Sequence, residues 1–153
     1  LGGVSAKEIF KMATLKLEII TPEAVAYRDD VNFVLIPAEL GEMGIYPMHV
    51  PVMTRIHPGE LVVTKGSEVL HLAVGEGFAE ITQTKVSVLA DMALEEKMID
   101  ESAAAAAVER AQARIQAMAK GADHSREEVA ATQVMLAKSL AQLKVKRRRR
   151  GAV

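Results

Sequence analysis

The sequence predicts an antiparallel β-sandwich or barrel of short strands, followed by a two-helix antiparallel hairpin. Three observations carry this expectation. Residues 12–93 show repeated alternation of apolar and polar side chains, the mark of strands with one buried face. All five prolines fall in that half. Between Ala93 and Arg150 there is no proline and one glycine, Gly121, in a stretch rich in strong helix formers.

The strands follow in order. "LKLEI" alternates Leu15, Leu17 and Ile19 with Lys16 and Glu18. "VNFVL" repeats the pattern, with Val31, Phe33 and Leu35 expected on one face. "ELVVTKGSEVLHLAV" reads as two strands turned at Lys65-Gly66. "FAEITQTKVSVLA" gives another pair, turned near Gln83 and Lys85. Pro22, Pro37, Pro47, Pro51 and Pro58 are expected at turns or edges. The glycines around Glu76 in "GEGFAE" predict a bulge or tight strand corner, because a strand follows and no GxGxxG is present.

The helices have their own punctuation. Asp100 is a plausible N-cap for a helix containing five consecutive alanines, Ala103 to Ala107. Gly121 in "KGADH" suits the left-handed residue that commonly closes a helix. Ser125 and Glu128 form a capping-box signature for the second helix, which carries Val129, Leu136 and Leu143 at heptad spacing with Leu140 between the last two. The first helix offers mostly alanine, with Ile99, Val108, Ile115 and Met118 as larger apolar groups. Burying a leucine-sized side chain is worth about 1.5–3 kcal/mol and an alanine methyl much less, so the two helices are expected to adhere weakly.

Composition excludes several classes. Half of the 153 residues are apolar, but three Phe, two Tyr and no Trp leave aliphatic side chains to fill the core. Without cysteine there are neither disulfides nor thiolate metal sites. No apolar run reaches the roughly 18 residues of a membrane span. "LGGVSAKEIFK" lacks a secretory pattern and reads as an extension, residues 1–11, before a start at Met12. His49, His57, His71 and His124 fall at no metal-binding spacing, and His71, between Leu70 and Leu72, is expected to face solvent. No grouping nominates a catalytic residue, a cofactor or a metal.

Charge is unevenly spread. Six of the nineteen basic residues lie in 144–150, leaving thirteen against twenty acidic residues elsewhere, and no acidic residue follows Glu128. This basic tail invites an anionic partner. Few aromatics are available to stack on bases, which turns the expectation from nucleic acid toward an acidic protein surface.

The pattern VxxVLIPAxxGxMGIYPxHxPVxTxIxPGxL, from Val31 to Leu61, resembles the epsilon subunit of bacterial rotary F-type ATP synthases. "GEGFAEI", "VSVLADMA", "IDESAA" and "AKSLAQLKV" are similar to that family's strand corner, sandwich-to-helix junction and closing helix, so the resemblance runs from Met12 to about Lys146. It implies a sandwich of about ten strands (12–95), a regulatory helical arm (96–150) and a short tail (151–153). It implies a non-catalytic rotor component of the central stalk, peripheral at the cytoplasmic face of the bacterial inner membrane, coupling proton flow to ATP synthesis. The partners implied are the gamma subunit and the c-subunit ring, through a surface including Glu42, Tyr46 and His49. The arm is implied to restrain ATP hydrolysis through Lys144, Lys146, Arg147, Arg148, Arg149 and Arg150, which would meet the beta subunit's C-terminal region. No cofactor is implied. An ATP-binding motif of some members survives only as a remnant: Asp100 and Arg110 match, but Ala103 stands where an arginine belongs. The alternative reading is a free-standing sandwich whose basic tail recruits an acidic protein or nucleic acid.

Overall fold

The computed structural model describes residues 3–5, 8, 13–121 and 124–148. Ten strands come first: β1 (Leu15–Ile20), β2 (Val25–Val31), β3 (Phe33–Ala38), β4 (Gly41–Ile45), β5 (Val52–Ile56), β6 (Gly59–Lys65), β7 (Glu68–Val74), β8 (Gly77–Ile81), β9 (Lys85–Ala90) and β10 (Ala93–Glu95). A single 3-10 turn, Glu96–Met98, leads into α1 (Glu101–Lys120) and α2 (Arg126–Arg147). Met12, Arg149, Arg150, residues 151–153 and most of 1–11 lie outside the described residues, so the readings made for them are not addressed.

The strands form one continuous sheet in the order β10-β7-β6-β3-β5-β8-β9-β1-β2, with β4 paired to β3. It folds over so that Leu15, Leu17 and Ile19 of β1 meet Leu61 and Val63 of β6, Leu72 of β7 and Val86 and Val88 of β9 in one aliphatic core. An ion pair between Lys65 of β6 and Asp29 of β2 joins the sheet's two halves. The pairing is antiparallel except between β1 and β9, which run parallel. A parallel neighbour needs a long connection, and here the whole of β2 to β8 supplies it.

Two strand expectations need correcting. Asn32 is a bend between β2 and β3, and it resets the alternation. The core side of β3 is therefore Val34, Ile36 and Ala38, whereas Phe33 and Leu35 are half-buried on the other face. Asn32 holds this bend with its side chain: Nδ2 donates to Ala13 O at 3.0 Å and Oδ1 accepts from Gly66 N at 2.7 Å. Pro37 lies inside β3 rather than at a turn. On that strand's second edge β6 pairs residues up to Leu35 and β5 begins at Ala38, so the proline's missing N–H falls in the gap between neighbours. The "GEGFAE" corner behaves as expected: a Cβ at Gly77 would run into the carbonyl oxygen of Leu89.

The hairpin follows its caps. Asp100 accepts from Ala103 N at 3.0 Å, and Ser125 and Glu128 close the full capping box. Gly121 ends α1 with φ −112°, in extended rather than left-handed backbone. The seam between the helices is thin: Ala104, Val108 and Leu143 are buried in it, with Leu136 packed against them. Leu140 instead is exposed, and the buried positions of α2 on that side include Thr132 and Ser139, whose hydroxyls donate to their own helix at Glu128 O and Met135 O.

Gly77→Ala tests the strand corner. Because backbone rather than a flexible side chain opposes the new methyl, the substitution is expected to lower the chain's unfolding free energy by about 1–3 kcal/mol in denaturant titration.

Candidate functional site

Two surfaces carry the features that packing alone leaves unexplained. The first is the outer face of β5, β8, β9, β1 and β2. Register places Arg55, Phe78, Leu89, Ile20 and Val25 opposite one another in a single transverse row. Phe78 and Leu89 are about half exposed, and Met53, two residues before Arg55 on the same face, is 69 % exposed. The Arg55 guanidinium lies 6.0 Å from the Phe78 ring centroid. Glu18, bonded to Arg28 and Lys85, gives this face a charged rim. A contiguous apolar row with such a rim is the character of a docking surface. Sequence reasoning missed it, though a signal existed: Phe78 shares the outward phase of Glu80, and Leu89 that of Ser87.

Chain continuity links this row to the loop between β4 and β5, which holds two of the three interface residues expected from the resemblance. Tyr46 is exposed and leans on Phe33 with ring centroids 4.6 Å apart. His49 turns its Nδ1–H to Val50 O at 2.7 Å. Between them Met48 has φ +67° and is 68 % exposed, with its N–H donated to Gln83 O at 2.7 Å. The left-handed region costs an ordinary residue roughly 1–2 kcal/mol. Glu42 stands apart, exposed on β4 opposite Pro37.

The second surface is the contact between α2 and the outer face of β6 and β7. Ala141 and Val145 bury themselves on Ala73 and Ile99. One side of this small apolar contact is ringed by polar ones. Lys138 pairs with Asp91, Gln142 Nε2 meets Met92 Sδ at 3.2 Å, and Lys146 Nζ donates to Glu96 O at 3.1 Å. Arg147 reaches Glu101 at the start of α1 at 3.0 Å. Arg148 grips Glu60 of β6 with both fork nitrogens, at 2.7 and 2.9 Å, and Lys144 lies 3.3 Å from the same carboxylate. The described arm cations expected to face a partner, Lys144, Lys146, Arg147 and Arg148, are thus all engaged within the chain when the arm is folded.

His71 joins this cluster. It points outward, as its strand phase requires, but the arm covers that face and its Nδ1–H donates to Glu60 Oε1 at 2.8 Å. Burial pushes the Glu60 carboxyl up, and Arg148 and then Lys144 outweigh that effect and hold it below the ordinary glutamate range. Glu60 in turn, with a smaller contribution from Glu42, raises the Arg148 guanidinium. The ATP-motif remnant is not assembled into a site. Asp100 is occupied as a helix cap, and Arg110 lines a separate groove of about 280 Å³ between the helices with Arg114, Thr132 and Ser139. Among the described residues no cluster has the makings of a metal site.

The fold and these surfaces define a class: a β-sandwich with a helical arm folded on it, rich in contact surface and without a convergent set of reactive groups among the described residues. The profile of the family described as ATP synthase, Delta/Epsilon chain, beta-sandwich domain, matches residues 14–96. The ATP synthase epsilon chain of Laribacter hongkongensis is 40% identical over 136 residues, covering 87% of this chain and 93% of that one. The epsilon chain of Acidithiobacillus ferridurans is 39% identical over 137 residues, covering 90% and 94%. A chain in the cryo-EM structure of the Euglena gracilis mitochondrial ATP synthase (OSCP/F1/c-ring, rotational state 1) shares the fold, with a TM-score of 0.70 at 20% identity over 92% of this chain and 81% of that one. The chain belongs to the ATP synthase epsilon chain family.

Acid should loosen the arm. A carboxyl depressed in the folded state contributes stability that is present above its unfolded value, near 4.3, and lost as pH falls through the lower folded value. With no native cysteine, Glu23→Cys and Ala131→Cys labels can report the arm-to-sandwich distance by energy transfer. Transfer is expected to fall in that acid window, and to lose this component when Glu60→Gln is added.

Proposed function

We propose that this chain serves as the non-catalytic epsilon subunit in the central stalk of an F-type ATP synthase, docking on the gamma subunit and the c-subunit ring and turning with them. The observation that supports this most is the exposed row Phe78–Leu89–Ile20–Val25 with the adjoining Tyr46–Val50 loop. Apolar groups held outward on a rigid sheet, beside a loop kept in a strained conformation, suit preorganised docking, because little ordering remains to oppose binding. Glu42, on the neighbouring hairpin, is assigned to the polar loop of subunit c, and Tyr46 and His49 to the same rotor-facing surface. The chain is peripheral at the cytoplasmic face of the inner membrane. Among the described residues no helix is long and apolar enough to cross a membrane.

The arm acts as the regulator. Its apolar contact with the sandwich is small, a Val and an Ala on one side, worth a few kcal/mol. The remaining contacts are largely ionic and partly exposed, so salt screens them. A partner offering acidic groups to Lys144, Lys146, Arg147, Arg148, Arg149 and Arg150 can compete for such an arm. That partner is the C-terminal region of the beta subunit, and the outcome is restraint of ATP hydrolysis. A free-standing binding module is disfavoured by the family membership and by the engagement of the basic groups within the fold.

Co-purification tests the reading. Stoichiometric elution with gamma from solubilised membranes is expected, and a chain that runs alone contradicts it. Glu42→Cys is expected to crosslink to the polar loop of subunit c, and failure to do so in assembled complexes removes Glu42 from that interface. Met48→Gly separates docking from stability: the isolated chain should gain up to about 1 kcal/mol by losing left-handed strain, while its affinity for gamma falls. Deleting residues 144–153 should raise ATP hydrolysis in the assembled enzyme without preventing assembly.

A further inference from the structure

Among the described residues Glu60 is the single buried carboxylate, about 5 % exposed, and it sits on the outer face of the sandwich rather than in its core. Its strand neighbours Leu61 and Val63 point inward to the aliphatic core. Glu60, Val62 and, across the ladder, Ala73 and His71 point the other way. Among the described residues the arm covers that face, with Met92 and Leu94 at its side. On α2, Ala141 and Val145 form one stripe that buries against Ala73, while Lys144 and, four residues on at the helix C-cap, Arg148 form the adjacent stripe that reaches Glu60. Docking therefore takes the carboxylate out of water and brings Lys144 and both fork nitrogens of Arg148 to it in one motion.

We infer that Glu60 is the latch of the arm: the carboxylate whose pairing with Lys144 and Arg148 holds α2 against β6 and β7, while His71 of β7 bonds to it from within the sheet. Two features fit a releasable latch better than a permanent clasp. A buried charge that loses one partner is strongly destabilised, so docking depends steeply on the match. An ion pair also leaves both separated surfaces hydrated, whereas an apolar pair of similar volume is often more adhesive and would expose apolar area on release. The inference rests on the folded arm alone and needs no partner subunit.

Hydrogen exchange on the full chain tests it. Glu60→Gln keeps the shape and removes the charge. Amides of residues 141–148 are expected to exchange at least about tenfold faster, while those of β1 and β9 keep native protection. Lys144→Gln/Arg148→Gln cuts the same bonds from the exposed helix side and cannot disturb the sandwich core, so it decides the matter if Glu60→Gln fails to fold. A Glu60→Met/Arg148→Met pair should slow the exchange instead. Native protection of residues 141–148 in either charge-removing variant with an intact sheet would overturn the latch.

Discussion

A carboxylate can stay buried at position 60 only while the last turn of α2 surrounds it with cations. That constraint ties together parts of the chain 88 residues apart in sequence. The core of the sandwich is drawn from residues 15–93 alone and is almost wholly aliphatic. The arm has a smaller core of its own, with Ala104, Val108 and Leu143 buried, Leu136 packed against them and Met118 buried near the end of α1. Its position is therefore set by what the sandwich offers it, and the offer is mostly charge.

Under the proposed function, the consequence is a competition between two uses of one set of cations. Lys144 and Arg148 close on Glu60, Arg147 on Glu101 and Lys146 on a backbone carbonyl. An arm that engages an acidic partner must surrender these bonds first. The sandwich is the opposite kind of object. Its exposed row lies on β5, β8, β9, β1 and β2, and the described arm makes its contacts elsewhere, on β6 and β7, so under the proposed function anchoring and regulation use different surfaces of one short chain.

Much of the fold was legible in the sequence because its signals are local. Period-two alternation placed β1, and Asp100, Ser125 and Glu128 marked the helix starts. Local reading failed where a single residue changed phase or where a distant element decided exposure. Asn32 shifted the inward face of β3 by one residue, since its side chain is bonded to Ala13 and Gly66 on neighbouring segments. Gly121 took an extended conformation that no local motif requires. His71 reads as a solvent-facing residue of an alternating strand, and by phase it is, as is Glu60 on the neighbouring strand; a helix far along the chain covers them. Phe78 and Leu89 were hidden for the reverse reason, being apolar residues left outside. The arm's cations were visible as a run, but their folded-state partners were not.

The most direct measurement is a double-mutant cycle between Glu60 and Arg148, read as the free energy of arm docking from exchange of the α2 amides. The account predicts a coupling of about 1–3 kcal/mol, with Glu60→Gln and Arg148→Gln far from additive. Strictly additive effects would show that the arm is held by its apolar contact, and would contradict the latch.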